Sequence, residues 1–472
     1  MFQKGDLPTP KPWLASIPIL VTITLLFFSV FVVDTKPHFA LFIGAATAGL
    51  CAYWHGFSWK TIKEGFKHSI ARTIPSIVIL LIIGMLIAVW IASGIVPALM
   101  YFGIEFFVAR WFLPLILLFS AFMALITGSS WSTIGTMGVA AIGVSEGLGI
   151  PLPMTAGAIV SGSFFGDKLS PMSDSTNLTP SVLGVNIYDH IRHMLYTTLP
   201  ALGISAVVFT IMGFMASQGN DSNGDVSAYT NYIRDHFNLS LWLFIPPLVV
   251  IFLIVRKVPA IPSLLAGLIL GALAYLLVQG GSFATLLESI HTGFVKDTGQ
   301  ESMDALFTRG GMESMYDVVA LALVSLALGG IMDYTGMLHS IVLALSGMVK
   351  TVGNLTATVL GTSIFVNVFG ANQYLAVILP GQMFEEGYRD KELKLKNLTR
   401  TLEAGGTLTA PLIPWNSSGV FVYAALGVSV TAYAPYAVLC WITALVVLVF
   451  GYLNVTMHRI EPSEEEEAED QQ

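Results

Sequence analysis

The chain has 472 residues, of which 54% are hydrophobic and only 11% charged, with a formal net charge of −8. That composition excludes a soluble globular protein, and the absence of a basic excess excludes a nucleic-acid binder. The two cysteines, Cys51 and Cys440, lie inside apolar runs and frame neither a disulfide scaffold nor a thiolate metal site.

Apolar runs of about 20 residues recur from the N-terminus onward, the length that crosses a bilayer at 1.5 Å rise per residue. After a short cytoplasmic N-terminus (1–12), WLASIPILVTITLLFFSVFVV (13–33) is the first. It is too long for a signal-peptide core and is read as retained. Spans follow at 38–55 and 74–93. The stretch GIVPALMYFGIEFFVARWF (94–112) is amphipathic and reads as interfacial, with Glu105 and Arg110 at headgroup level. Residues 113–149 hold two apolar arms around a polar tip, which predicts a re-entrant hairpin. A broken helix is expected at 151–184 and a crossing at 194–216, and 217–239 reads as an external linker. The second half gives spans at 240–255 and 261–279, a polar connection, and a span at 315–335. A hairpin at 352–386, a broken helix at 401–428 and a last crossing at 434–456 complete it. The tail 457–472 contains EPSEEEEAEDQQ, a solvated acidic end on the cytoplasmic side.

The chain repeats itself. PWLASIPILVTITLLF (12–27) resembles LWLFIPPLVVIFLIV (241–255), and TGSSWSTIG (127–135) resembles LGTSIFVNVFG (360–370). LSPMSDSTN (169–177) has its counterpart in TAPLIPWNSSG (409–419), with Asp174 set against Asn416. Matches in one order at an offset of about 225 to 242 residues indicate an internal duplication. With the N-terminus inside, only Lys36, Arg110, Arg234, Lys296 and Arg309 of the 22 Lys and Arg fall outside, and Lys168 falls within the membrane. Positive charge is retained on the cytoplasmic side. The expected fold is an all-α polytopic membrane protein of two inverted repeats, 13–216 and 240–456. Each has about five crossings, one of them interrupted, plus a re-entrant hairpin.

The run SGSFFGDKLSPMSDSTN (161–177) places Asp167, Lys168 and Asp174 where a membrane helix is expected. In hydrocarbon a helix breaks only where it lines a polar cavity. Pro171 cannot donate to the ladder, and Pro411 and Pro414 interrupt the second half. Asp174 stands among Ser173, Ser175, Thr176 and Asn177, hard oxygen donors suited to Na⁺, and is the leading cation site. Asp167 and Ser170 join it, with Lys168 as charge partner. Asn416, Ser417 and Ser418 occupy the equivalent place in the second half. The hairpin tips add Ser130, Ser132 and Thr133, and Thr362, Asn367 and Asn372. Asp317, Asp333 and Glu403 fall near span ends and read as headgroup-level groups, and His190 and His193 read as interfacial.

The run SGSFFGDKLSPMSDSTNL, the hairpin TGSSWSTIGTMG and the order of segments resemble the NhaC-type Na⁺/H⁺ antiporters, which include a malate/lactate exchanger branch. The similarity extends over about residues 10–455. It implies two inverted repeats assembled as homodimers, with Asp167, Lys168, Ser170, Asp174, Ser175 and Thr176 in the transport core. The expected activity is exchange of Na⁺ for H⁺ across the cell membrane by competition at Asp174. Burial favours a carboxylate's neutral form, so protonation would expel the ion. Na⁺ and H⁺ are the substrates and no cofactor is expected. A rival reading keeps the fold and moves malate or lactate. An intramembrane aspartyl protease lacks a convincing aspartate pair, a passive channel is a weaker reading of the same core, and neither HExxH nor a phosphate-cradling glycine loop is present.

Overall fold

The computed structural model describes residues 9–460 except 34, 107, 219–222, 257, 296–307, 309 and 347–350. The residues 461–472 of the acidic tail, residues 1–8, and Lys257, Lys296, Arg309 and Lys350 of the charge division lie outside the described residues. Among those described, the chain is all-α and polytopic. Six helices are long and apolar enough to cross a membrane, or up to eight if each bent pair is one span.

Helix α1 (Pro12–Phe27) runs into a π-helical turn, Phe28–Val32, and α2 spans His38–His55. Helix α3 (Trp59–Ala92) is longer than the expected span, because Ser58 caps it by accepting from Thr61 N. Only Thr73–Ala92 has the composition of a crossing. Helices α4 (Ile95–Phe106), α5 (Ala109–Thr127), α6 (Ser130–Thr133) and α7 (Val139–Gly147) follow, with a π-helical turn, Ile134–Gly138, between the last two. The chain then forms α8 (Leu152–Leu169), breaks, and resumes as α9 (Asp174–Val182) and α10 (Ile187–Gln218). The connection read as a linker carries helix α11 (Asn223–His236).

The second half comprises α12 (Ile245–Val255), α13 (Ala260–Leu277), α14 (Phe283–Thr292), α15 (Tyr316–Tyr334) and α16 (Met337–Ser346). Helices α17 (Val352–Gly370) and α18 (Leu375–Arg389) form its hairpin. Helix α19 (Lys396–Leu402) continues as a π-helical turn, Glu403–Thr407, and breaks before α20 (Ser417–Leu426). Helices α21 (Val430–Tyr433) and α22 (Val438–Leu453) end the described chain.

Neighbours recur between the halves. α1 packs on α2, and α12 on α13. α5 lies along α8 and α10, while α17 lies along the α19 turn and α22. The long helices α3 and α15 pack on each other at the centre, and α10 meets α22. Small residues permit the closest approach. A Cβ on Gly162 would collide with Leu117 O, and one on Gly166 with Ala121 O, so α8 rests directly on the backbone of α5. The main core gathers Trp90, Phe112, Phe164 and Phe421, whereas Leu20, Val207, Leu248 and Val449 point outward, the apolar faces expected toward lipid.

Candidate functional site

The first hairpin turns at Gly128, whose φ of +66° lies in the left-handed region. A Cβ there would meet Met172 at 2.7 Å, so the tip sits against the break in the neighbouring helix. Ser129 then caps α6, its Oγ accepting from Ser132 N at 3.2 Å. This leaves Ser130 facing the break, where its Oγ donates to Asp167 Oδ2 at 2.7 Å. Thr133 turns back into the hairpin and donates to Ser129 O at 3.0 Å.

Helix α8 ends at Ser170, which adopts an extended conformation one residue before Pro171. Ser173 caps α9, and Ser173 Oγ and Ser175 Oγ lie 3.0 Å apart. Thr176 Oγ1 is directed at Asp167 O (2.9 Å) and Lys168 O (3.0 Å), two of the carbonyls left open by the end of α8. The carbonyl end of one half-helix thus faces the N–H end of the next, with the acid Asp174 in the favourable first turn of α9.

The second tip meets the second break in the same way. Ser417 N donates to Ala371 O at 3.1 Å, and Ser418 Oγ donates to Gln373 Oε1 at 2.9 Å. Asn416 caps α20 and its Nδ2 donates to Asn367 O at 3.0 Å. Asn367 Nδ2 in turn serves Gly406 O, Gly405 O and Thr409 Oγ1, so its role is to satisfy the backbone of the break. The caps align Ser173 with Asn416, which sets Asp174 against Ser417 and shifts the sequence pairing by one residue.

Both tips and both breaks open onto one cavity of about 380 Å³. Its wall includes Ser130 and Ser132, Asp167, Ser173 to Ser175, Asn372 to Tyr374 and Ser417, with Thr73 and Ser76 of α3 opposite. Two acids line it, and no Lys, Arg or His does among the described residues. The structure brings Asp167, Asp174, Ser175, Ser130, Ser132, Asn372 and Ser417 to this wall. Ser170, Thr176, Asn416 and Ser418 are buried just behind it. Thr133, Thr362 and Asn367 are not part of it.

Several expectations need correction. The buried acid is Asp167, 7% exposed, while Asp174 is exposed at the cavity surface. Lys168 is not the partner of Asp167: adjacent helical residues point about 100° apart, and Lys168 Nζ lies fully buried with no hydrogen-bond partner. Glu403, read from sequence as a headgroup-level group, is completely buried in the π-helical turn before the second break and receives a hydrogen bond from Thr179. The available signal was its place inside the expected broken segment, directly before Ala404-Gly405-Gly406. His190 and His193 are also buried within the protein. Asp317 does behave as a surface group, half-exposed and 3.0 Å from Lys36.

Among the described residues no cluster of three or more His, Cys, Asp and Glu could hold a metal ion. A cation on Asp167 would therefore be held by one carboxylate and by hydroxyl and carbonyl oxygens, a hard-ligand set.

Comparison with known proteins agrees with this reading of the chain as a carrier. A family profile described as the Na⁺/H⁺ antiporter family matches residues 8–167 and 162–455. The chain is 36% identical to the Na⁺/H⁺ antiporter NhaC of Alkalihalophilus pseudofirmus, over 92% of this chain and 94% of that one. It is 36% identical to the malate-2H⁺/Na⁺-lactate antiporter of Bacillus subtilis, over 91% of each chain. It is also 35% identical to the arginine/ornithine antiporter ArcD of Halobacterium salinarum, over 96% of this chain and 94% of that one.

Proposed function

The chain belongs to the Na⁺/H⁺ antiporter family, and from that premise we propose that it exchanges Na⁺ for H⁺ by competition for buried carboxylate charge, with access alternating across the membrane. The observation that carries this reading is Asp167. It is a buried carboxylate on the wall of a cavity otherwise lined by hydroxyls, amides and a second acid. An ionised carboxylate in such a place is costly unless a cation or a proton neutralises it. Na⁺ occupies Asp167 with help from Ser130 and Ser173, and Asp174 draws cations to the cavity.

Alternation is supported by a second cavity of about 440 Å³ further along α3, at Ile87 and Ile91, bounded also by Glu146 and Gly427. Between the two levels Trp131 stacks on Phe421, ring centroids 4.2 Å apart, and Ile83 packs beside Gly135. Two inverted repeats move as hairpin-and-broken-helix units against the remaining helices, a reading supported by the recurring neighbours of the two halves. The protein lies in the cell membrane with both termini cytoplasmic. The Lys36–Asp317 pair then faces outward, and Lys394, Lys396 and Arg459 face inward.

The test is Na⁺-driven proton flux in proteoliposomes. Asp167→Asn abolishes it while the purified protein keeps its wild-type elution and melting behaviour. Undiminished flux in that variant refutes the assignment.

A second reading, exchange of a small organic solute, is favoured by equal similarity to a malate/lactate exchanger and by a cavity larger than a bare ion requires. The acidic wall speaks for a cation over a carboxylate. Labelled malate, lactate and Na⁺ uptake, varied independently, separates the two.

A further inference from the structure

Beside the first hairpin lies an apolar slot of about 650 Å³. Its length is lined by α5 from Phe112 to Phe119, by the hairpin's returning arm from Thr136 to Val144, and by α12 with the residue before it, from Phe244 to Ile251. Seven residues of helix rise about 10 Å, so the slot is elongated along the helices. Helix α4 closes one side. A Cβ on Gly103 would meet Val144 Cγ2 at 2.6 Å, so α4 lies directly on α7. On the other side two lining residues reach the surface, Phe119 on α5 at 48% exposure and Leu248 on α12 at 60%. Leu248 belongs to the apolar faces turned toward lipid, so the slot is continuous with the surface that meets the bilayer.

Water gains nothing in this space. The two polar side chains of its wall are spent within the protein: Thr136 Oγ1 donates to Ser132 O at 2.7 Å, and Trp90 Nε1 donates to Gly267 O at 3.1 Å. A buried water needs roughly two to four polar partners, and an empty void forfeits dispersion contact along its lining. Hydrocarbon meets both conditions. One end of the slot also bears the marks of a membrane surface. Trp111 and Trp242 are exposed there, one residue before Phe112 and two before Phe244, and tryptophan collects at headgroup level. Arg110 precedes Trp111. Arg234 Nη2 donates to Tyr101 Oη at 2.6 Å, with its guanidinium 5.6 Å from the centre of that ring. Tyr101 adjoins Phe102, whose ring lies 5.6 Å from that of Phe244 in the slot wall. Two cationic side chains thus stand at the level of lipid phosphates.

We propose that this slot is a lipid site: one acyl chain of a bilayer phospholipid enters between α5 and α12, with its phosphodiester at the level of Arg110 and Arg234. The inference goes beyond the exchange reading and does not depend on it. The far end of the slot touches the π-helical turn Ile134–Gly138, where Thr136 is bonded to Ser132 of the cation cavity wall. The acyl chain fills the space between the hairpin's returning arm and α12, and it supports from behind the tip that carries Ser130.

The experiment is photolabelling of the full chain in proteoliposomes that contain phosphatidylglycerol with a diazirine in the middle of one acyl chain. Adducts are mapped by mass spectrometry of the digested protein. Wild-type protein is expected to carry adducts between Thr136 and Val144, where Met137, Ala141 and Val144 are buried and out of reach of lipid that stays on the surface. Ala141→Phe fills the slot and lowers these adducts about fivefold or more, while labelling at lipid-facing Val449 on α22 is unchanged. Leu248→Trp, a change at the mouth that disturbs no buried packing, does the same and serves if Ala141→Phe does not fold. Adducts confined to surface residues such as Phe119 and Leu248 overturn the proposal, as do hairpin adducts that persist undiminished in either folded variant. Protection of both the hairpin and Leu248 while Val449 is labelled overturns it in favour of a second copy of the chain covering the mouth. A diazirine fatty acid at the same mole fraction labels the hairpin several-fold less, because it lacks the phosphodiester. Equal labelling by the fatty acid overturns phospholipid as the occupant.

Discussion

Ser130 Oγ donates to Asp167 Oδ2 across 2.7 Å, joining the tip of a hairpin to the last turn of an interrupted helix. The contact orients the carboxylate toward the cavity and supplies one of the hydrogen bonds that keep it ionised without a full hydration shell. A hydrogen bond to a charged group is worth about 1.5–3 kcal/mol. Ser130→Ala is therefore expected to raise the KM for Na⁺ roughly tenfold to a hundredfold at alkaline pH, measured as Na⁺-dependent proton flux in proteoliposomes.

The seat also depends on how closely α8 approaches α5. A methyl group at Gly166 would strike Ala121 O, and one at Gly162 would strike Leu117 O. Gly166→Ala is expected to lower stability by about 1–3 kcal/mol or more, because backbone cannot yield as a flexible side chain can. Thermal melting in detergent should show a clear drop for Gly166→Ala. Gly361→Ala on α17, where nothing lies within 4 Å of the added carbon, should show no loss.

Trp131 lines the first cavity and stacks on Phe421, whose helix carries Ser417 at that cavity and Tyr423 to Leu426 at the second. Phe421→Ala is expected to open a path between them and to give a proton leak in the absence of Na⁺. Dissipation of an imposed pH gradient in Na⁺-free proteoliposomes measures it. A variant as tight as the wild type would remove the stack from the barrier.

At the end of α22 the chain returns to α19, where Asn397 Nδ2 donates to His458 O at 2.7 Å and Lys394 N donates to it at 3.0 Å. Partial burial, then Lys396, Arg400 and Lys394, push the His458 imidazole below its ordinary pKa. The unfolded chain therefore binds more protons than the folded one as pH falls through the ordinary histidine range. This contribution to stability is fully present at neutral pH and is lost progressively on acidification. The melting temperature should fall between about pH 7 and 5, and His458→Gln should flatten that slope.

The interruptions were legible in the sequence because their cause is local. Pro171, Pro411 and Pro414 mark them because they fall in polar runs, whereas Pro75, Pro114 and Pro200 sit inside continuous helices, and the Gly128-Ser129-Ser130 tip announces a turn. Which acid is buried was not legible. Asp167 closes α8 and Asp174 opens α9, and only the packing of the hairpin tip over one of them decides which loses its water. Glu403 was missed for a related reason. Its helix begins at Lys396, five residues before the expected broken segment, so the acid lies inside the helix and not at its start. Its hydrogen-bond donor, Thr179, comes from the other half of the chain, a distance over which residue patterns carry no signal. Lys168 shows the same limit from the other side, since its neighbour in sequence is not its partner in space.

The capped breaks pair Asp174 with Ser417 and Ser173 with Asn416, so the two halves share a skeleton but not an electrical endowment. An ion arriving at the cavity wall encounters Asp167 and Asp174 on one interrupted helix and only neutral dipoles on the other. Mirror-image gradients thus do not present the carrier with mirror-image tasks. Loading from the two sides is therefore expected to run at different rates under an equal thermodynamic drive, which flux through uniformly oriented proteoliposomes would measure.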